Sequence, residues 1–107
     1  MSAGEESGSA GRVTWDRAAG VVQIGGVPAG KRAAARFAAD VRRWVSAGEA
    51  VGSYGLVAVA GERVTLDAAR GTATIRGVAR GRGGEALVAD LRLCLRADEI
   101  VRRAGIA

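Results

Sequence analysis

Val13-Thr14-Trp15-Asp16-Arg17-Ala18-Ala19-Gly20-Val21-Val22-Gln23-Ile24-Gly25-Gly26-Val27-Pro28-Ala29-Gly30 is answered 51 positions later by Val64-Thr65-Leu66-Asp67-Ala68-Ala69-Arg70-Gly71-Thr72-Ala73-Thr74-Ile75-Arg76-Gly77-Val78-Ala79-Arg80-Gly81. Nine of these eighteen positions are identical, where ordinary residue usage gives roughly two by chance. After a slip of one residue the match resumes at an offset of 50, pairing Ala39-Asp40 with Ala89-Asp90 and Glu49 with Glu99. The chain therefore reads as an internal duplication, and each remaining feature is best read within that frame.

Each copy opens with a hairpin. In the first, Val13 and Trp15 share one face of a short strand, and Val22 and Ile24 share the buried face of its return. The second copy uses Val64 and Leu66, then Ala73 and Ile75. Both turns begin with Asp and end with Gly (Asp16 and Gly20, Asp67 and Gly71). Asp accepts hydrogen bonds from the turn backbone and Gly adopts the positive φ that closes it, so Asp16 and Asp67 read as turn formers. A helix follows each hairpin. Ala34, Phe37, Ala38, Val41, Trp44 and Val45 fall on one stripe at helical spacing, and Leu87, Val88, Leu91, Cys94 and Leu95 repeat it. Cys94 then replaces Trp44 as a small core residue. Tyr54 to Ala60 reads as a further strand, giving the order β-β-α-β-β-β-α.

The expected fold is α+β: a tandem ββα-type repeat forming an antiparallel sheet with two helices packed on one face. Residues 1–11 are Ser, Gly, Ala and Glu without periodicity and read as a disordered tail. Residues 12–107 form one domain whose halves span about 12–53 and 54–107, a size usual for a single domain. The other face of the sheet would carry Thr14, Gln23, Thr65, Thr72, Thr74 and Arg76, polar and nearly uncharged.

The chain has 107 residues and a net charge of +5. From Gly11 onward sixteen basic residues face nine acidic ones, a net +7. Such an excess attracts polyanions, although fifteen of the sixteen are Arg in a background of Ala, Gly and Val, a bias that genome composition alone can write. With no His and the single Cys94, no intramolecular disulfide forms and a zinc site is not expected. No signal peptide and no spanning stretch is read, so the expected location is cytoplasmic.

Gly25-Gly26-Val27-Pro28-Ala29-Gly30-Lys31 has the spacing of a phosphate-binding loop between a strand and a helix. However, Arg32 stands where magnesium coordination needs a hydroxyl, and the sheet is expected to be antiparallel, so nucleotide hydrolysis is not expected. A weaker form of the same physics remains. Both copies enter their helix through Gly-Val-x-x-Gly followed by Lys31 or Arg82, and free amides at a helix start attract anions. Lys31, Arg32, Arg36, Arg43, Arg80 and Arg82 are the candidate phosphate contacts. Arg80-Gly81-Arg82-Gly83-Gly84 resembles the Arg-Gly-Gly tracts of RNA-binding tails, but those act as long arrays.

One asymmetry stands out. Leu93 replaces Arg43, and Ala86, Leu93, Ala97 and Ile100 make a second apolar stripe on the later helix. It reads either as packing against the first helix or residues 105–107, or as a contact with a second copy or another protein. Glu49 and Glu99 read as surface ion-pair residues. No His, activated nucleophile or convergent carboxylate pair is evident, so neither catalysis nor a cofactor is expected. The leading expectation is a small non-enzymatic basic module contacting nucleic-acid phosphates without strong sequence preference, with stacking available only from Trp15 or Tyr54. The alternative is a homodimeric scaffold, adaptor or chaperone-like interaction module. Neither a membrane nor a small-molecule substrate is implied.

Overall fold

The computed structural model describes residues 12–103. Its elements are β1 (Val13–Asp16), β2 (Val21–Ile24), α1 (Lys31–Ala50), β3 (Val64–Asp67), β4 (Thr72–Arg76) and α2 (Arg82–Arg103). The fold is α+β, with four antiparallel strands in the order β1-β2-β4-β3 and two helices. Residues 1–11, read above as a tail, lie outside the described residues.

Alternation along the strands decides which face is covered. Val13, Val22, Ile24, Val64, Ala73 and Ile75 are buried, whereas Thr14, Gln23 and Thr65 are exposed. The helix stripes Ala34, Phe37, Val41, Val45 and Leu87, Val88, Leu91, Leu95 complete one core with these strand residues. Both helices therefore lie on the same face of the sheet. The hairpin turns are built as read. Ala19 N–H donates to Asp16 Oδ1 at 3.1 Å and Arg70 N–H to Asp67 Oδ1 at 3.2 Å, with Gly20 at φ 69° and Gly71 at φ 65°.

The two central strands meet antiparallel, Val22 opposite Ile75 and Ile24 opposite Ala73. Beyond their ends, Val27 N–H donates to Gly71 O at 3.0 Å and Val78 N–H to Gly20 O at 2.9 Å. The two bonds are reciprocal: Val27 and Val78 stand 51 apart, and so do their acceptors, Gly71 and Gly20. The helices cross over as well: α1, which leaves β2, packs on β3, and α2, which leaves β4, packs on β1. Each hairpin is thus covered at its outer strand by the helix that follows the other hairpin.

Arg12 and Arg63 buckle this arrangement from opposite ends. Arg12 donates to Gly25 O at 2.8 Å and Gly26 O at 3.0 Å, and pairs with Glu99 at 3.2 Å. Arg63 donates to Arg76 O at 2.9 Å and Gly77 O at 3.4 Å, and lies 3.9 Å from Glu49. Glu49 and Glu99 are therefore cross-links between a helix end and a hairpin. Both glutamates are the ion-pair residues expected from sequence, and it is their arginine partners that are about four-fifths buried.

The expected strand from Tyr54 to Ala60 does not form. Helix α1 ends in a Schellman motif, with Gly52 at φ 73°, Gly52 N–H on Glu49 O and Ser53 N–H on Gly48 O, each at 3.0 Å. The chain then crosses the end of the sheet as an irregular strap. Its one sheet-like bond is Val57 N–H to Gly77 O at 2.9 Å, and Arg63 holds Val57 O at 2.9 Å. Strand β4 already has β2 and β3 as neighbours, so a segment arriving there has no free ladder to join. Tyr54 anchors the strap instead. Its ring is buried against Gly48, and its hydroxyl donates to Asp90 Oδ2 at 2.7 Å.

Candidate polyanion-binding face

A helix advances about 1.5 Å and 100° per residue, so Arg32, Arg36 and Arg43 form a stripe about 40° wide and about 16 Å long. All three are exposed on α1, away from its core stripe. Lys31 opens the helix beside Gly30, where no side chain caps the free amides, leaving partial positive charge at that end. Arg32, Arg36 and Arg43 border a groove of about 730 Å³ with Pro28, Ala33, Phe37, Asp40 and Asp98. Arg43 pairs with Asp40 one turn back, whereas Arg32 and Arg36 make no ion pair among the described residues. The positive character of the groove therefore rests on Arg32 and Arg36.

Arg80 and Arg82 are exposed too, but elsewhere. Ile24, the last residue of β2, pairs with Ala73 near the start of β4, and Arg76, the last residue of β4, pairs with Val21 at the start of β2. The helix entries consequently leave from opposite ends of the sheet. The six basic residues read from sequence form two separate groups, Lys31/Arg32/Arg36/Arg43 and Arg80/Arg82, and not one patch. The antiparallel pairing of β2 with β4 makes this unavoidable.

The loop with phosphate-loop spacing is occupied by the protein itself. Gly25 N–H donates to Arg12 O at 2.8 Å, Val27 N–H to Gly71 O, and the Gly25 and Gly26 carbonyls face the Arg12 guanidinium. Amides engaged in this way are not available to cradle a phosphate. The stacking aromatics fare no better. Tyr54 is buried, and Trp15 is half-buried with the Arg17 guanidinium 4.4 Å above its ring.

Desolvation and the Asp90 hydrogen bond push the Tyr54 phenol well above its ordinary range. Burial and, less strongly, the Asp90 charge raise the Cys94 thiol. Both shifts favour the neutral, unreactive forms. On α2, Leu93 and Ile100 are 66% and 59% exposed and Ala97 is exposed, but Ala86 packs against the core. The outward stripe is thus Leu93, Ala97 and Ile100, one residue shorter than read. It does not pack against α1, and residues 105–107 lie outside the described residues. Among the described residues no helix is long and apolar enough to cross a membrane.

Comparison with protein-family models, curated proteins and solved structures returns no match.

Arg12 and Arg63 escaped the sequence reading although they stand 51 apart, one position ahead of the quoted stretch. Extending the match by that residue would have found them. Tyr54 was read as part of a strand. The residue that shows otherwise is Gly48, placed on the buried stripe of a helix where a larger residue is expected.

Proposed function

We propose that the protein is a tandem of two ββα units exchanging their helices, and that it acts as a non-enzymatic basic module contacting phosphate backbones through α1. The tandem reading is supported by contacts that recur under the repeat shift: Arg12 with Gly25, Gly26 and Glu99, and Arg63 with Arg76, Gly77 and Glu49. The observation that carries the binding reading is the pair Arg32 and Arg36, exposed one turn apart and without acidic partners among the described residues. With Tyr54 buried and Trp15 covered, such contact would use phosphates and not stacked bases, so duplex and single strands should bind similarly.

The test is fluorescence anisotropy of labelled single- and double-stranded oligonucleotides at two salt concentrations. Affinity falling steeply with salt, and lost in Arg32→Glu/Arg36→Glu, is the expected result. Binding that ignores salt, or absence of binding at low salt, refutes the reading.

A second reading, self-association or partner binding through α2, is favoured by the exposure of Leu93 and Ile100. Sedimentation of wild type against Leu93→Arg tests it: an unchanged mass removes this stripe as a self-association interface.

A further inference from the structure

Backbone alternation fixes which groups leave the sheet. Gly25 N–H donates to Arg12 O at 2.8 Å, so Arg12, Thr14 and Asp16 turn their amides and carbonyls toward β2. Val13 and Trp15 consequently turn theirs to the outer edge of β1. On β3, Arg76 N–H donates to Arg63 O at 2.9 Å, which sends Val64 and Leu66 outward in the same way. Strands β1 and β3 are the two edges of the sheet, and they are finished differently.

At β3 the edge is closed by the helix above it. Arg42 of α1 donates to Val64 O at 3.4 Å and to Glu62 at 3.3 Å. The repeat gives α2, which packs on β1, an arginine at the same station, Arg92. Arg92 is half-buried and its Nε is enclosed, yet the guanidinium has no acceptor among the described residues. Its missing partner is legible in the sequence, where Glu62 answers to Gly11 and no carboxylate is supplied. Instead α2 carries an exposed Glu85 where α1 has Ala35. Glu85 and Arg92 are seven residues apart, so they share one flank of α2 within about 20° and stand about 10 Å apart along it. They are too far apart to pair with each other.

Such an edge is complementary to itself. Two copies of β1 laid antiparallel about a two-fold axis through Thr14 would exchange both backbone bonds between Val13 of one and Trp15 of the other, and Thr14 would meet its own counterpart. The helices follow the same axis. The Trp15 ring lies against Gly84 and Arg12 reaches Glu99, which brings Thr14 level with Ala89. That is the midpoint of Glu85 and Arg92, so each Glu85 faces Arg92 of the other copy, and the small, exposed Ala89 sits at the crossing. The spacing agrees as well. Strands lie about 4.8 Å apart, and one helix for every two strands places helices about 9.6 Å apart, within the 8–10 Å of packed helices. At β3 the corresponding flank offers Ala35 and an arginine already paired, so association stops at two copies.

We propose that the free edge of β1 is the docking surface for a second copy of this chain, which carries the four-stranded sheet across a two-fold axis and is held in register by reciprocal Glu85–Arg92 ion pairs. The interface leaves the basic stripe of α1 uncovered. It also leaves Leu93 outside, since that residue is turned about 100° round α2 from Arg92. Loss of phosphate binding, or of a contact made by Leu93, therefore leaves this dimer standing.

The experiment is sedimentation equilibrium of the full-length chain, with hydrogen exchange of the wild-type amides as a second measurement. The expected mass is twice the 10.8 kDa of one chain. Glu85→Arg or Arg92→Glu alone should weaken association about tenfold or more, and the combined Glu85→Arg/Arg92→Glu should restore it. Leu93→Arg should leave it unchanged. The Val13 and Trp15 amides should exchange slowly in the dimer and faster on dilution to monomer. A monomeric wild type overturns the proposal. So does a dimer that is lost in Leu93→Arg, or one whose Val13 and Trp15 amides exchange freely. A dimer indifferent to the charge reversals overturns the Glu85–Arg92 pairing that sets its register.

Discussion

Replacing Gly48 with Ala tests the anchoring of the strap because two opposed effects meet at one atom. Gly48 lies inside α1 on its buried stripe. In an unobstructed helix interior, Gly→Ala stabilises by about 0.5–1 kcal/mol, since the unfolded chain loses freedom and a good helix former is gained. Here the new Cβ would overlap the Tyr54 ring. The ring is 8% exposed, so it cannot simply swing into empty space. Overpacking of this kind costs about 1–3 kcal/mol, and expelling the ring costs about 2 kcal/mol of apolar burial together with about 1 kcal/mol for the Asp90 hydrogen bond. Gly48→Ala should therefore destabilise by about 1–2 kcal/mol net. In a Tyr54→Ala background the obstruction is gone, and the same substitution should stabilise by about 0.5–1 kcal/mol. Urea unfolding of the four proteins closes the cycle, and the change of sign is the signature. If Gly48→Ala is neutral or stabilising in the wild-type background, Tyr54 does not occupy this seat and the reasoning fails.

Tyr54 is the only tyrosine, so phenolate absorbance reports it alone: in the native protein it should titrate above the ordinary value of about 10. Its folded pKa is raised, so the stabilisation is complete below about pH 10 and is lost as pH rises beyond it; Tyr54→Phe should flatten that decline, and an unflattened decline assigns it to other groups. Arg63→Ala removes bonds to three carbonyls, Val57, Arg76 and Gly77, and should cost about 2–3 kcal/mol in urea unfolding, a loss under 0.5 kcal/mol showing them to be dispensable. For the proposed phosphate contacts, Arg32→Glu/Arg36→Glu should reduce the slope of log affinity against log salt by about 2, and an unchanged slope places the contacts elsewhere.

The hairpins were legible because period-two alternation and the Asp-to-Gly turns are local signals. Val13 through Ile24 and Val64 through Ile75 specify strands with no help from the rest of the chain. The helices were legible from the spacing of Phe37, Val41 and Val45 and of Leu87, Leu91 and Leu95. Strand neighbours carry no such local mark: the antiparallel sheet was legible, but not the central pairing of β2 with β4 that sends Lys31 and Arg82 to opposite ends. Nor was the strap: Leu56 through Ala60 has strand-like residues, and only the occupation of both sides of β4 keeps it irregular. The basic stripe of α1 followed directly from the positions of Arg32, Arg36 and Arg43. Its neutralisation at Arg43 depends on Asp40 one turn back, and which loop amides are engaged depends on Arg12.

The crossing of the helices bears on how this chain emerges from the ribosome. When Ala50 has been synthesised, α1 has its buried stripe but not β3, the strand on which it packs. Synthesis at about 5–20 residues per second leaves that stripe without its partner for roughly one to three seconds while residues 51–67 are added. The first hairpin waits longer, because α2 covers β1 and is made after the other described elements. Completion of the fold therefore waits for α2, and a nascent chain halted before it exposes two unfinished apolar faces.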